Sequence, residues 1–342
     1  MNQLKHFARH IYLKSLTKSL FWGLASLLLS LVSLSAQVTT SPGTELLPIQ
    51  KDGLYGFMRR DGSIAIPPKF EMARSFSEGR APVRLNHLWG FADTTGAVVV
   101  LPQYEYVTNF AEGFAVVMKD NKFGYINLQG QLVIPMQYDH AREFADGLAS
   151  VKIQNYWGFI DQSGHMVIPV QYEYATHFAE GLSSVIIKRK SAYLDKTGHI
   201  AIHPNFDWCG DFYEGLATVR MRSQLGFIDK TGRVVIQPKY DGLGSFHQGL
   251  ASFKIGEKWG YVDRNDNIVI PAEFDDAGDF EENAAPVRVG LLWGFIDRSG
   301  KFVIPPTYDY ATTFSAGLAS VKVADKRGYI DHEGVYVWAP SR

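Results

Sequence analysis

Apolar and polar residues along this chain repeat with a period of 34, and this repeat governs the predictions about its fold. The period is marked by glycines at Gly56, Gly90, Gly124, Gly158, Gly226, Gly260, Gly294 and Gly328, with Ala192 in the one copy that lacks glycine. Self-similarity at a fixed period of this length is typical of arrays in which each unit buries its apolar surface against its neighbours. The chain is therefore predicted to form one array, although 342 residues would suffice for two ordinary domains.

Three apolar stretches in each unit predict three strands. When positions are numbered from the glycine as zero, the first strand has an aromatic residue at +1 and usually ends with aspartate at +3. The sequence Asp-x-x-Gly then predicts a tight turn, because the carboxylate accepts turn amides and glycine accepts a positive φ. The second strand has three consecutive apolar positions, such as Val98 to Val100, which predicts burial on both faces, and a proline is expected to end it. The third strand alternates apolar and polar residues, so one face is expected to be solvated.

The connection after the second strand is longer and has fixed features. It carries an aromatic residue at +14, an acid at +15 and phenylalanine at +20 in all eight complete units. The array is predicted to begin near Leu46 and to end at Trp338, so that about nine three-stranded antiparallel meanders follow one another. Because the chain starts and stops in the same phase, we expect an all-β, open or superhelical array. The alternative is a closed, propeller-like ring.

Residues 1–36 differ from the repeat and are predicted to be a signal peptide. An apolar run from Leu20 to Ala36 follows a basic stretch, as in the h- and n-regions of an export signal. The full charges of this segment are all positive: Lys5, Arg9, Lys14 and Lys18. Cleavage is expected after Ala36 or Ser35. The alternative is an uncleaved anchor, since the run nearly suffices to span a bilayer. Residues 37–45 are assigned as a linker and 46–342 as the array.

Two stretches carry a resemblance to a known family. Residues 258–263 are Lys-Trp-Gly-Tyr-Val-Asp, and residues 293–297 are Trp-Gly-Phe-Ile-Asp, followed by Gly-Lys-Phe-Val-Ile-Pro-Pro-Thr-Tyr-Asp at 300–309. They resemble the bacterial WG-repeat family, also called KWG repeats, over nearly everything after residue 45. The resemblance implies a β-rich repeat without a defined catalytic site, often exported and expected to mediate binding. Two units depart from the pattern: Arg59 replaces the aspartate of the first, and Ser191-Ala192 replaces Trp-Gly in the fifth, which puts the strand packing there in question.

Positions that vary between copies are the best candidates for contact with a partner, because a repeat keeps its core constant. Position +16 is aromatic in some units and not in others, and exposed Tyr and Trp are frequent energetic centres of interfaces. The predicted partner-binding residues are these aromatics and two neighbours: Tyr106, Tyr174, Trp208, Tyr310, Arg142 and His177. The alternative for each aromatic is partial burial as a shield for the adjacent loop.

Other columns have both structural and functional interpretations. The invariant aromatic columns are expected to form the core, with sugar stacking as the alternative. The acids at +15 are expected to accept backbone amides in the turn after the proline, with cation binding as the alternative. A row of cations at +28 could bind an anionic polymer, but solvent-facing strand positions commonly carry such residues: Arg84, Lys152, Arg220, Lys254, Arg288 and Lys322.

Catalysis finds little support in the sequence. It contains no Gly-x-Ser-x-Gly elbow, His-Glu-x-x-His helix or phosphate-binding glycine loop, so no catalytic residue, cofactor or metal ligand is assigned. The alternative is an enzyme centred on the diverged fifth unit. There His199 and His203 share a strand face near Asp207 and Cys209, although without a recognised zinc spacing.

Charge narrows the class of partner. Loss of residues 1–36 would change the formal net charge from −1 to −5, which offers no general attraction for nucleic acid. The single cysteine cannot form an internal disulfide. We therefore expect a non-enzymatic binding or scaffold protein of the bacterial cell envelope, periplasmic or at the cell surface, that contacts a protein partner through its variable loops. The alternatives are a glycan, polysaccharide or peptidoglycan ligand, and attachment to the membrane by the N-terminal segment. No integral membrane domain is expected after signal cleavage.

Overall fold

A computed structural model of the protein describes residues 46–340, which form nine antiparallel β-sheets. The predicted signal peptide and linker lie outside the described residues. Within the described range there is no helix, and so no helix long and apolar enough to cross a membrane. The nine sheets, here called blades 1 to 9, follow one another along the chain and close into a nine-bladed β-propeller.

Each blade is a meander of consecutive strands. Blade 1 has three strands: β1 (Leu47–Lys51), β2 (Leu54–Met58) and β3 (Ile64–Phe70). Blades 2 to 5 have four strands each: β4 (Met72–Ala73), β5 (Arg80–Leu85), β6 (Leu88–Asp93), β7 (Val98–Tyr104); β8 (Tyr106–Val107), β9 (Phe114–Lys119), β10 (Lys122–Asn127), β11 (Leu132–Tyr138); β12 (His140–Ala141), β13 (Leu148–Ile153), β14 (Tyr156–Asp161), β15 (Met166–Tyr172); β16 (Tyr174–Ala175), β17 (Leu182–Ile187), β18 (Lys190–Asp195), β19 (Ile200–Phe206). Blades 6 to 9 repeat the arrangement: β20 (Trp208–Tyr213), β21 (Leu216–Met221), β22 (Gln224–Asp229), β23 (Val234–Tyr240); β24 (Gly242–Leu243), β25 (Leu250–Ile255), β26 (Lys258–Asp263), β27 (Ile268–Phe274); β28 (Asp276–Ala277), β29 (Ala284–Val289), β30 (Leu292–Asp297), β31 (Phe302–Tyr308); β32 (Tyr310–Ala311), β33 (Ala319–Val323), β34 (Lys326–Ile330), β35 (Tyr336–Trp338).

The predicted three-stranded unit is incomplete, because blades 2 to 9 have an additional first strand. In most blades this strand is two residues long and begins at position +16. In blade 3, for example, Tyr106 and Val107 pair with Met118 and Val117. A strand of two residues is too short to show the alternation from which strands are predicted.

Two predictions about the second strand of the repeat are wrong. Val99 in β7 is 41% exposed, whereas Val100 is 4% exposed, so the apolar run is not buried throughout. The strand is the edge of its sheet, and Val99 is the extra residue at a shift of the pairing register, between Val98 and Val100, which lie on opposite faces. Pro102 does not end the strand either, because it lies within β7 at a shift of the pairing register.

The glycine that marks the repeat is favoured because the following strand crosses it closely. A Cβ atom at Gly90 would lie 2.2 Å from the carbonyl oxygen of Val100 and 2.8 Å from the nitrogen of Pro102. Glycine permits that approach without any displacement of the crossing strand. The fifth unit, with Ala192, nevertheless keeps the equivalent pairing, in which Tyr193 lies opposite Ile202. The question raised by its sequence is thus answered, because the strands there pair as in the other units.

The hydrophobic core lies between blades. Phe91 and Tyr104 of blade 2 pack against Phe110 and Val117 of blade 3, and the rings of Phe91 and Phe110 are 4.8 Å apart. All four side chains are at most 4% exposed. Burial of one such side chain contributes about 1.5–3 kcal/mol, so the invariant columns form the core, as predicted.

The ring closes between blade 9 and blade 1, and the predicted open array is wrong. Ile49 and Met58 of blade 1 form one buried cluster with Leu318 and Tyr329 of blade 9. The Tyr329 hydroxyl donates a 2.8 Å hydrogen bond to the carbonyl of Pro48. Among the strands that the structure describes, none is exchanged across this seam. The terminal blades pack through the same apolar columns as all the other neighbouring blades. A chain that begins and ends at the same point of the repeat can therefore still close into a ring.

Candidate binding surface

The two ends of the blades carry different loops. In blade 2, Asn86 and His87 form the turn between β5 and β6, whereas residues 94–97 form the Asp-x-x-Gly turn at the opposite end. The equivalent turns of all blades therefore define a hairpin end and an Asp-turn end of the ring. Position +16 directly follows the link between blades and lies at the hairpin end, which thus collects the most variable loops and side chains.

The acids at +15 stabilise the hairpin end. The Asp275 carboxylate accepts a hydrogen bond of 2.6 Å from the Lys258 ammonium group and one of 2.7 Å from the Gly290 amide. These two donors hold the pKa of Asp275 below its ordinary value. The structural interpretation of this column is confirmed, but the capped amide belongs to the hairpin turn rather than to the turn after the proline.

Five aromatic side chains form a continuous surface at the hairpin end of blades 3 to 5, here called the aromatic arc: Tyr106, Phe123, His140, Trp157 and Tyr174. Successive ring centroids are 6.2, 4.9, 5.3 and 6.1 Å apart. Tyr106 and Tyr174 are 39% and 40% exposed, His140 is exposed, and Trp157 is buried beneath them. The arc therefore presents polar edges over a buried apolar base.

Two arginines are built into this surface. The Arg142 guanidinium lies 5.0 Å from the Trp157 ring centroid and 5.3 Å from that of Tyr174, and it donates a 2.9 Å hydrogen bond to the Tyr174 hydroxyl. Arg74 is placed in the same way, 4.6 Å from Trp89 and 5.6 Å from Tyr106. Such cation–π contacts fix the orientation of both partners.

The charge state of the arc follows from these neighbours. Partial burial lowers the pKa of His140, and the adjacent cations Arg142 and Lys152 lower it further. His140 is therefore neutral at neutral pH, where it can stack as an uncharged ring. The positive charge of the arc resides on its arginines.

The structure brings together only part of the predicted site. Tyr106, Tyr174 and Arg142 belong to the aromatic arc. Trp208 is separated from it because Ser191 stands where the next ring would be, and the Arg220 guanidinium lies 5.8 Å from its ring.

The other two predicted residues lie elsewhere. Tyr310 packs against Trp293 between blades 8 and 9. His177 follows the short strand towards the Asp-turn end, where its Nε2 lies 3.5 Å from the Asp211 carboxylate. These residues are therefore not part of one site with the arc.

Three members of the arc were not predicted from the sequence. Phe123 and Trp157 belong to the column before the glycine, which the sequence assigns to the core with sugar stacking as the alternative. His140 is a copy of position +16 that is neither Tyr nor Trp. A signal for them does exist. The members of the arc are spaced by 17 residues, which is half the repeat, because positions −1 and +16 alternate along the ring.

The fifth unit does not assemble the metal site considered from its sequence. The His199 side chain is 84% exposed, and its Nδ1 lies 2.7 Å from the hydroxyl of Thr197. Cys209 is 3% exposed, and burial raises the pKa of its thiol to about 12. Within residues 46–340 there is no group of three or more His, Cys, Asp or Glu side chains that could hold a metal ion.

Comparison with known proteins identifies the repeat. The family model described as "WG containing repeat" matches eight times, at residues 55–88, 89–123, 123–157, 157–190, 192–223, 226–259, 259–290 and 293–326. The chain belongs to the WG-repeat family. The fifth match begins at Ala192, so the diverged unit is a WG repeat despite its changed first residues. No curated protein sequence matches this WG-repeat protein.

Solved structures share its fold. A crystal structure of a eukaryotic initiation factor is 14% identical over 87% of this chain and 95% of that one, with a TM-score of 0.64. At this identity the likeness concerns the fold alone. Weaker similarity, too low to support an inference, extends to two other proteins. The dihydro-heme d1 dehydrogenase NirN has a TM-score of 0.47 and 12% identity over 82% of this chain and 77% of that one. PorZ, a surface component of the type-IX secretion system of Porphyromonas gingivalis, has a TM-score of 0.34 and 8% identity over 86% and 51%.

Proposed function

We propose that this WG-repeat protein is a non-enzymatic binding protein of the bacterial cell envelope, exported to the periplasm or cell surface, that holds a protein partner against the aromatic arc. The observation that carries the proposal is the arc itself, in which half-exposed Tyr106 and Tyr174 flank a chain of mutually packed rings. The location rests on the predicted signal peptide.

The arc has the properties of an interface centre. Tyr, Trp and Arg are enriched at the positions that dominate binding energy in protein complexes, where they are rigid and partly desolvated before binding. Arg142 is already held by Trp157 and Tyr174, so little side-chain entropy is lost when a partner covers it.

A protein partner fits this geometry better than the alternative glycan. Sugar rings stack on open aromatic faces, but here the faces are largely occupied. His140 lies nearly parallel to Phe123, at 23°, and the Arg142 guanidinium covers Trp157 and Tyr174. What the arc offers are ring edges, hydroxyl groups and guanidinium donors, which suit the mixed polar and apolar surface of a protein.

The test is crosslinking capture from intact cells with tagged full-length protein, read by mass spectrometry. We expect Tyr106→Ala/Tyr174→Ala to reduce capture of a protein partner at least about tenfold, because two interface centres are truncated. The control variant, Tyr310→Ala/Tyr336→Ala, removes two equally exposed tyrosines outside the arc and should capture as the wild type does.

Three outcomes would contradict the proposal. Equal capture by both variants would show that the arc is not the contact surface. Retention on polysaccharide or cell-wall fractions that survives protease, with no protein captured, would indicate glycan binding instead. Finding the protein in the cytoplasmic fraction would exclude the envelope location.

A further inference from the structure

The hairpin ends of blades 5 and 6 carry an exposed group of cations, here called the basic cluster: Lys188, Arg189, Lys190, Arg220 and Arg222. Lys188 and Arg189 form the turn between β17 and β18, and Arg222 begins the turn between β21 and β22. A groove of about 630 Å³ joins the two blades and is lined by Lys190, Asp207 and Arg222. Cations from two blades thus face one groove.

Most of this positive charge is not neutralised within the protein. The Asp207 carboxylate accepts from the ammonium group of Lys190 and from the backbone amide of Arg222. Within residues 46–340, the side chains of Lys188, Arg189 and Arg222 form no hydrogen bond or ion pair. The lysines of blades 3 and 7 at the position of Lys190 are likewise paired with aspartate, but the turns beside them carry no comparable excess of cations.

The backbone of the Lys188-Arg189 turn has the conformation of the hairpin turns around the ring. Both residues have positive φ angles, 48° and 66°, which are unfavourable for residues other than Gly, Asn and Asp. The equivalent turns of blades 1, 7 and 8 place Gly53, Gly256 and Gly290 there. Other blades also place residues such as Gln154 and Ala324 in this conformation, and the turn of blade 5 is distinguished by its two cations.

The basic cluster is continuous with the aromatic arc. Tyr174, the last ring of the arc, lies opposite Ile186 in blade 5, two residues before the Lys188-Arg189 turn. Beyond this turn, Arg220 lies over Trp208 of blade 6. A partner that covers the arc therefore has the cluster directly beside it.

We propose that the basic cluster binds an acidic segment of the protein partner that occupies the arc. This inference rests on the proposed function, since it takes the partner to be a protein. Carboxylates of the partner would pair with Lys188, Arg189 and Arg222, while the arc supplies the apolar contact. Charge complementarity of this kind chiefly accelerates association and fixes the register of the complex.

The direct test uses a fluorescein-labelled, unstructured, Glu-rich peptide as the probe, with binding to the full-length protein read by fluorescence anisotropy. The test variant is Lys188→Asn/Arg189→Gly, which removes two charges and supplies the residues that this turn prefers, so it should fold at least as well as the wild type. The control Lys51→Asn/Lys301→Asn removes two exposed lysines outside the cluster.

We expect the test variant to bind the peptide at least about tenfold more weakly at low ionic strength, and the control to bind as the wild type does. The affinity of the wild type should fall as salt is raised, because exposed charges are screened. Equal binding by both variants would overturn the inference. So would binding of polygalacturonate without binding of the peptide, which would indicate an acidic glycan.

Two further measurements separate this inference from the proposed function. The arc variant Tyr106→Ala/Tyr174→Ala should lose the cellular partner yet still bind the acidic peptide. If Lys188→Asn/Arg189→Gly captures the cellular partner as well as the wild type does at physiological salt, the acidic-segment inference fails while the arc proposal stands. If the arc variant keeps the partner, the arc proposal fails instead.

Discussion

Replacing Met58 with alanine tests whether the ring is closed. Met58 lies on the face of blade 1 that points away from blade 2, and it is 0% exposed because Leu318 and Tyr329 of blade 9 cover it. In an open array this face would be the solvated end of the molecule. Closure therefore predicts that a residue of the first blade behaves as a core residue.

The expected magnitude follows from this burial. Truncation of a fully buried methionine to alanine costs about 2–5 kcal/mol, from lost apolar transfer and the cavity that remains. The same substitution on an exposed face usually changes the free energy of unfolding by less than about 0.5 kcal/mol. The two architectures thus differ by more than the error of a denaturation experiment.

The assay is urea unfolding followed by tryptophan fluorescence, with two controls. Ile126→Ala truncates the residue of blade 3 that is equivalent to Met58. Ile126 is 0% exposed, and its neighbouring blade is present in either architecture, so this substitution should also cost about 2–5 kcal/mol. Met166→Ala truncates a methionine that is 41% exposed and should have little effect. If Met58→Ala behaves like Met166→Ala, then blade 9 does not cover blade 1 and the closed ring is refuted.

Four further predictions follow from single contacts. Tyr329→Phe removes the hydroxyl that bonds across the seam and should lower the free energy of unfolding by about 1–3 kcal/mol in urea; no change would mean that the bond is absent. Gly294→Ala places a Cβ 2.6 Å from a backbone carbonyl and should destabilise the protein by about 1–3 kcal/mol, seen as a lower melting temperature; unchanged melting would contradict the close strand crossing. The hydrogen bond from Ser299 is the main cause that lowers the pKa of Asp297 below 3.8, so ionised Asp297 stabilises the fold above pH 3.8 and this stabilisation is lost as pH falls through the lower folded pKa. Asp297→Asn should therefore make acid unfolding, followed by circular dichroism, less steep in that window. An identical titration of the variant and the wild type would contradict this. Burial raises the pKa of the Cys209 thiol to about 12, so Ellman's reagent at pH 8 should react far more slowly with native than with urea-unfolded protein, and equal rates would show an accessible thiol.

Much of the local structure could be predicted because it depends on neighbours in the chain. The Asp-x-x-Gly turn is an example: Asp93 accepts amide hydrogen bonds from Thr95 and Ala97, and Gly96 has a φ of 86°. The invariant phenylalanine column could likewise be assigned to the core from its pattern alone. The exposure of Val99 could not, because the same apolar run fits a buried strand and an edge strand, and only the position in the sheet distinguishes them.

The candidate site was predicted only in part, for a similar reason. Tyr106, Tyr174 and Arg142 were identified as contact residues because they vary between copies. His140 and Trp157 were not, since their roles arise where two blades meet. Sequence variation marks exposed positions, but it does not say which of them share one surface.

The sequence by itself determined the repeat, its strands and turns, and the family, because each depends on residue types at fixed short spacings within one unit. The tertiary structure decided that nine units close into a ring and that five rings join into one arc. Both depend on the small rotation between successive blades, which accumulates over the whole chain. No single repeat encodes that sum, so neither the seam at Met58 and Tyr329 nor the arc from Tyr106 to Tyr174 can be derived from one unit alone.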